Sequence, residues 1–251
     1  MSEEVKLIKN GIRLDGRKLN EMREMEAKVG IIKRATGSAY FRLGNTSAVA
    51  AVYGPRELHP KHLVDPIKAF VKCRYNMAPF STTERVRPGP SRRSAEISKV
   101  IREALSSVIN LDEFPRAGIE IYIEILEANA STRCVGLNAA SLALADAGIP
   151  MKDLMASCSV GKVDGEIVLD VAGKEDTEGE VDLPIAYIPS DNKIYLLQMD
   201  GILTHDEFKK AIGMAIEGCK KIYDEQVKAL KRKYEVWEKI EEIPRENNEE
   251  R

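Results

Sequence analysis

Residues 118–147 read GIEIYIEILEANASTRCVGLNAASLALADA, and the change of pattern inside them decides the fold class. Isoleucines at 119, 121, 123 and 125 alternate with Glu120, Tyr122 and Glu124. A period of two puts one set on each face of an extended chain, which predicts a half-buried strand. From about Thr132 to Ala147 the alternation stops, and Ala139, Ala140, Ala143 and Ala145 appear. This predicts a helix small enough in section to pack closely, closed by Gly148 and Pro150.

The same order, strands and then a helix, recurs on either side. Three short strand-like runs at 27–33, 38–43 and 47–53 are separated by Thr36-Gly37 and Gly44-Asn45 and suggest a meander. A fourth run at 67–75 leads through a polar loop to a helix at 91–110, whose apolar face is Ile97, Ile101, Ala104, Leu105 and Val108. Downstream, runs at 160–163 and 166–171 flank Asp164-Gly165, a hairpin signal. LPIAYIP and KIYLLQMDG are joined at Asp191-Asn192, and Thr204 with Glu207 forms a capping box opening a long helix. Charge density rises after Lys228, and the last residues are expected to fray. The expectation is an α+β chain of two similar β-then-α halves. Its divisions are an N-terminal arm at 1–24 with a turn at Asp15-Gly16, a first half at 25–155, and a second at 156–251 that includes a C-terminal helix and charged tail.

Composition narrows the class. The 251 residues are 43% apolar and 31% charged, with no apolar run of membrane-spanning length. The opening MSEEVKLIKN lacks the apolar core of a signal peptide, so a cytoplasmic protein with no membrane partner is expected. Four scattered cysteines without a CxxC pair and only three histidines argue against a structural zinc or His-rich centre. A net charge of −2 gives no overall attraction for nucleic acid. Residues 54–102, however, carry eleven Lys/Arg against four Asp/Glu. That stripe reads either as a polyanion site or as an ordinary solvated face.

Three places could carry chemistry. Arg92 and Arg93 fall in the first turn of a helix, where cations are disfavoured, so either a bound anion or a packed carboxylate such as Glu96 should accompany them. Ser131, Thr132 and Arg133 open the next helix, whose free N–H groups and guanidinium suit phosphate; simple N-capping by either hydroxyl is the alternative. In EDTEGEVDLP at 175–184, Asp176, Glu178, Glu180 and Asp182 stand at even spacing. An extended chain would aim all four one way, and a divalent cation such as Mg²⁺ or Mn²⁺ would relieve their repulsion; a solvated acidic loop is the alternative. Walker and GxSxG motifs are absent.

These blocks carry a family likeness. RLDGR at 13–17, YGPRELHPKHL at 53–63, RYNMAPFSTTER at 74–85, PSRRSAEISKVIREAL at 90–105, FPR at 114–116, ANASTR at 128–133, AASLALADAGIPM at 139–151, EDTEGEVDLP and LLQMDG at 196–201 resemble the RNase PH-type phosphorolytic exoribonucleases. Within that family the likeness is greatest to the catalytic RNase PH-like subunits of archaeal exosomes. It spans roughly residues 7–230.

The resemblance implies the RNase PH fold and attack of inorganic phosphate, as co-substrate, on the last phosphodiester of a single-stranded RNA 3′ end. Nucleoside diphosphate is released, and the reverse reaction is tailing from diphosphates. It implies phosphate binding by Arg93, Ser131, Thr132 and Arg133. Asp182 would serve in metal coordination or general-acid assistance, supported by Asp176. Lys61 and His62 match a loop narrowing the RNA entry channel, and Arg92 would contact RNA. The implied partners are a non-catalytic RNase PH-like subunit alternating in a hexameric ring and RNA-binding cap proteins. The alternatives are a non-catalytic ring subunit or a homo-oligomeric tRNA-trimming enzyme. One departure stands out: relatives read aspartate and glycine where Asn129 and Ser131 stand here.

Overall fold

The computed structural model describes residues 6–58 and 61–241, with side chains up to residue 235. A small hairpin, β1 (Ile8–Lys9) and β2 (Ile12–Arg13), precedes the first sheet. The expected meander follows as β3 (Met25–Val29), β4 (Gly37–Leu43) and β5 (Thr46–Glu57), paired antiparallel. Next come β6 (Phe70–Met77), α1 (Arg92–Ser106), β7 (Ala117–Glu127) and α2 (Thr132–Asp146). Sheet order is β3-β4-β5-β7-β6. Among the described strands only β6 and β7 run parallel, which requires a crossover, and α1 supplies it.

The second sheet is built from β8 (Ala156–Val163), β9 (Glu166–Leu169), then α3 (Lys174–Glu178), β10 (Val181–Ile188), β11 (Lys193–Leu197) and β12 (Asp200–Gly201). Its order is β11-β10-β8-β9, with β12 beside β10. The last described element is α4 (His205–Glu241), opened by the expected box: Glu207 accepts from Thr204 N at 2.8 Å, and Glu207 N donates to Thr204 Oγ1 at 3.4 Å. The expected fraying falls largely on residues after 241, outside the described ones.

Three helices form a layer that both sheets share. α1 packs on β6 and β11, α2 on β4, β5 and β7 and also on β8 and β10, and α4 on β3 and on β8 to β10. This explains the alanine-rich α2: 12 of its 15 residues are buried, as a helix covered on two sides must be. Close approach is enforced at Gly37, where a Cβ would sit 2.2 Å from Ala147 N. One continuous core runs through both sheets. Among the described residues no helix is long and apolar enough to cross a membrane.

Three expectations need correction. The strand placed at 67–75 occupies 70–77, because residues before Ala69 form a half-exposed loop in which Ile67 is 74% exposed. The arm is no loose extension. Arg13 Nε reaches Glu175 Oε1 at 2.7 Å, and Arg17 and Arg23 meet the fully buried Asp170 at 3.1 and 2.7 Å. Finally, the row of acids is not one strand face. Lys174–Glu178 is helical, so Asp176 and Glu178 leave the alternation that Glu180 and Asp182 continue.

Candidate functional site

The loop into α2 is held in an uncommon conformation. Ala130 (φ 66°) and Ser131 (φ 55°) are both left-handed, at a cost of order 1–3 kcal/mol each. The surroundings impose it. Thr46 Oγ1 donates to Ala130 O at 2.9 Å and accepts from Asn129 N at 3.0 Å, while Arg23 donates to Asn129 O at 2.8 Å. Ser131 thus occupies a left-handed conformation that glycine would adopt without strain. Its hydroxyl meets Ser159 Oγ at 2.6 Å and donates to Val171 O at 2.9 Å. Ser131 stands at the N-cap position but its side chain makes no capping bond; its hydroxyl is bound to the second half instead, which leaves its backbone N–H for an anion.

The first N–H groups of α2 have no acceptor within the helix. Beside them, Thr132 Oγ1 and Tyr75 Oη are buried close to each other, and neither reaches any further hydrogen-bond partner among the described residues. These residues are only 5% and 2% exposed. Burial raises the Tyr75 phenol, and the Thr132 hydroxyl and the guanidiniums of Arg93 and Arg133 oppose that rise. Two buried hydroxyls, open backbone donors and two guanidiniums therefore share one locale, which is the donor set a phosphate takes.

Arg93 comes from the first turn of α1, whose N-terminus is closed by a reciprocal Ser91–Ser94 box at 2.8 and 3.0 Å. Glu96 does not neutralise Arg92 or Arg93; it pairs with Arg133 at 3.3 Å. Among the described residues α1 offers no other ion pair to either arginine.

Asp182 stands second in β10 and is half-buried. It is in register with Gly161 of β8 and Asp200 of β12. Burial and the neighbouring Asp176 and Asp200 push its carboxyl up to about 6, against the pull of Arg133 and Arg93. Four charged side chains, from α1, α2, α3 and β12, thus act on Asp182 of β10. Asp176 is carried there by α3, anchored through its neighbour Glu175, which is 4% exposed and bound by Arg13. Among the described residues no three His, Cys, Asp or Glu form a ready metal cage. Two carboxylates do match Mg²⁺, which combines one or two with substrate phosphates and water.

A family model for domain 1 of the 3′ exoribonuclease family matches residues 21–150, and its domain 2 model matches 153–218. This chain belongs to the 3′ exoribonuclease, or RNase PH, family. It is 58% identical over 233 residues to the exosome complex component Rrp41 of Pyrococcus furiosus, covering 92% of this chain and 93% of that one. It is 57% identical over 225 residues to Rrp41 of Methanopyrus kandleri, covering 90% and 94%. With the Rrp41 of Cenarchaeum symbiosum the identity is 49% over 226 residues, covering 90% and 93%. The crystal structure of rice (Oryza sativa) Rrp46 shares the fold, with a TM-score of 0.75 at 24% identity over 85% of this chain and 98% of that one. The RNase PH fold expected from the sequence is the fold found.

Other residues expected from the RNase PH likeness lie elsewhere. Lys61 and His62 are exposed in a 3-10 turn after β5; His59 and Pro60 lie outside the described residues. The end of β5 pairs with the start of β7, Glu57 with Ala117, whereas the loop carrying Ser131 follows the end of β7. Eleven strand residues separate the two by roughly 35 Å. Arg92 is exposed beside Arg93.

Sequence reasoning assigned no site role to Tyr75, Gln198 or the buried set Arg13, Arg17, Arg23, Asp170 and Glu175. The RLDGR and LLQMDG blocks flagged some of these through resemblance, but no local pattern shows a charge whose partner is about 150 residues away.

Proposed function

We propose that this chain is the catalytic subunit of an archaeal exosome, a phosphate-dependent 3′-to-5′ exoribonuclease. The archaeal relatives named above are exosome components, and the observation that carries the reading is the half-buried Asp182, set among Asp176, Asp200, Arg93 and Arg133. Arg93, Arg133, the Thr132 hydroxyl and the α2 N–H groups hold orthophosphate. One phosphate oxygen attacks the phosphorus of the last phosphodiester, the bond to the 3′ oxygen breaks, and nucleoside diphosphate leaves. The shortened RNA takes up a proton at its 3′ oxygen. Developing charge on the transferred group is met by guanidiniums already in position, so little reorganisation is needed.

Asp176 and Asp182 would hold Mg²⁺ or Mn²⁺, which supplies Lewis-acid charge neutralisation when bound. Alternatively, Asp182, raised to about 6, delivers the proton to the leaving oxygen. RNA reaches the site past Lys61 and His62, with Arg92 on its backbone. The chain alternates with a non-catalytic RNase PH-like subunit in a hexameric ring under RNA-binding caps, in the cytoplasm.

The test is RNA decay by the chain co-assembled with its RNase PH-like partner. Wild type should release nucleoside diphosphates in proportion to added phosphate. Asp182→Ala should lose at least about 10³-fold in rate while still binding RNA. Diphosphate release by the variant at the wild-type rate removes Asp182 from the mechanism. Absence of release from wild type leaves a non-catalytic ring subunit.

A further inference from the structure

Arg133 does not lie free in the site. Its Nη1 donates to Gln198 Oε1, and its Nη2 to Glu96 Oε2 at 3.3 Å. Gln198 Nε2 in turn donates to Glu96 Oε1 at 3.1 Å. The three side chains close a ring, each touching the other two, and they come from three separate elements: α2, the end of β11 and α1. Gln198 is itself fixed, because its backbone N–H donates to Pro184 O at 3.1 Å, two residues beyond Asp182 on β10. Glu96 stands three residues after Arg93 on α1, so both point from one helix face.

We infer that Gln198 and Glu96 are positioning residues that hold the Arg133 guanidinium in the orientation that receives phosphate. The inference rests on the phosphorolytic reading above and adds to it the device that aims the anion clamp. A guanidinium has five N–H donors, and the ring uses two. Three remain for a phosphate, so binding need not break the ring. An ion pair as open as Glu96, whose side chain is 47% exposed, adds little stability. Its consequence is orientation. A guanidinium on a long side chain samples many rotamers unless planar partners fix it, and a misplacement of about 1 Å in a binding group can cost about 100-fold in rate.

The choice of an amide at 198 matters for charge. One carboxylate and one amide leave the ring neutral, with unused guanidinium N–H donors free for an anion, whereas two carboxylates would make it net negative and repel one. The ring also links the sheets: Arg133 follows the first sheet's last strand, and Gln198 belongs to the second.

Three variants of the full chain, each assembled with its partner subunit, test this. Gln198→Met keeps the shape and removes both hydrogen bonds; it should raise the KM for phosphate about tenfold, while turnover at saturating phosphate falls far less. Gln198→Glu should raise it further, through repulsion from Glu96. Glu96→Gln keeps the ring's geometry and frees the charge of Arg133, and it should lower phosphate KM about threefold. Opposite signs from neighbouring substitutions are not produced by a merely structural contact. An unchanged phosphate KM in Gln198→Met overturns the inference, as does an equal loss in KM and turnover accompanied by a lower melting temperature. Calorimetric titration with inorganic phosphate reads the same contrast without turnover. If wild type binds phosphate, and Gln198→Met binds it more weakly, yet neither releases diphosphate, the positioning role stands and the proposed reaction falls.

Discussion

Asp182 is half-buried at the start of β10 with Asp176 and Asp200 beside it. Lifting a carboxyl from 3.8 to about 6 places about 3 kcal/mol on its ionised form in the folded chain. The folded state therefore holds its proton more tightly than the unfolded chain. This contribution to stability is present in full below about pH 4 and is lost as pH rises through 6. Asp182→Asn has no such penalty. In chelator at pH 7.5 the variant should be more stable than wild type by about 3 kcal/mol, the gain shrinking towards zero near pH 4. Urea unfolding at several pH values checks this. Equal stabilities at pH 7.5 would mean that water reaches the carboxyl freely. Stability given up at one residue is common where a site must concentrate like charges.

α3 spans only Lys174–Glu178, too short to be stable alone, so its hold on Asp176 comes from outside. Glu175 supplies that hold by accepting from Arg13 and from Ala172 N at 3.0 Å. Arg13 also donates to Leu169 O at 2.6 Å and Asp170 O at 2.8 Å. The N-terminal hairpin is thus a strut under the acidic side of the site. Arg13→Ala leaves the Glu175 carboxylate buried without its partner and should cost about 3–5 kcal/mol, measurable by denaturant unfolding. A loss below about 1 kcal/mol would show that the strut is not needed. The even spacing of the acids suggested a strand here because, over so few residues, a turn of helix and an extended run present equally plausible patterns. The burial of Glu175 depends on an arginine 162 positions away.

On the scale of the whole molecule, the two sheets do not have separate cores. α2 is covered by both, and the core cluster runs from Ala27 to Ala229 without a break. Neither half could lose its fold and leave the other's helices dry. Heating the isolated chain should therefore give one cooperative transition with matching calorimetric and van't Hoff enthalpies. Two resolved transitions would mean that the halves are independent. The site follows from this architecture, since Arg93 and Arg133 enter from helices packed under the first sheet and Asp182 from a strand of the second.

The sequence alone determined the elements whose hydrophobic period is long and regular. The isoleucine alternation of β7, the small-residue run of α2, the Asp164-Gly165 hairpin and the capping box of α4 are all local properties, set by backbone geometry and side-chain shape within a few neighbouring residues. It also brought the arginines and aspartates to notice, because cations at a helix start and crowded acids are locally unfavourable. Tertiary structure alone decided which of these charges face one another. It turned the Ser131 hydroxyl away, gave Glu96 to Arg133 instead of Arg93, and buried Arg13 against Glu175. Electrostatic partners act through space at a few ångströms, and the order of residues along the chain carries no record of that distance until the layers are packed.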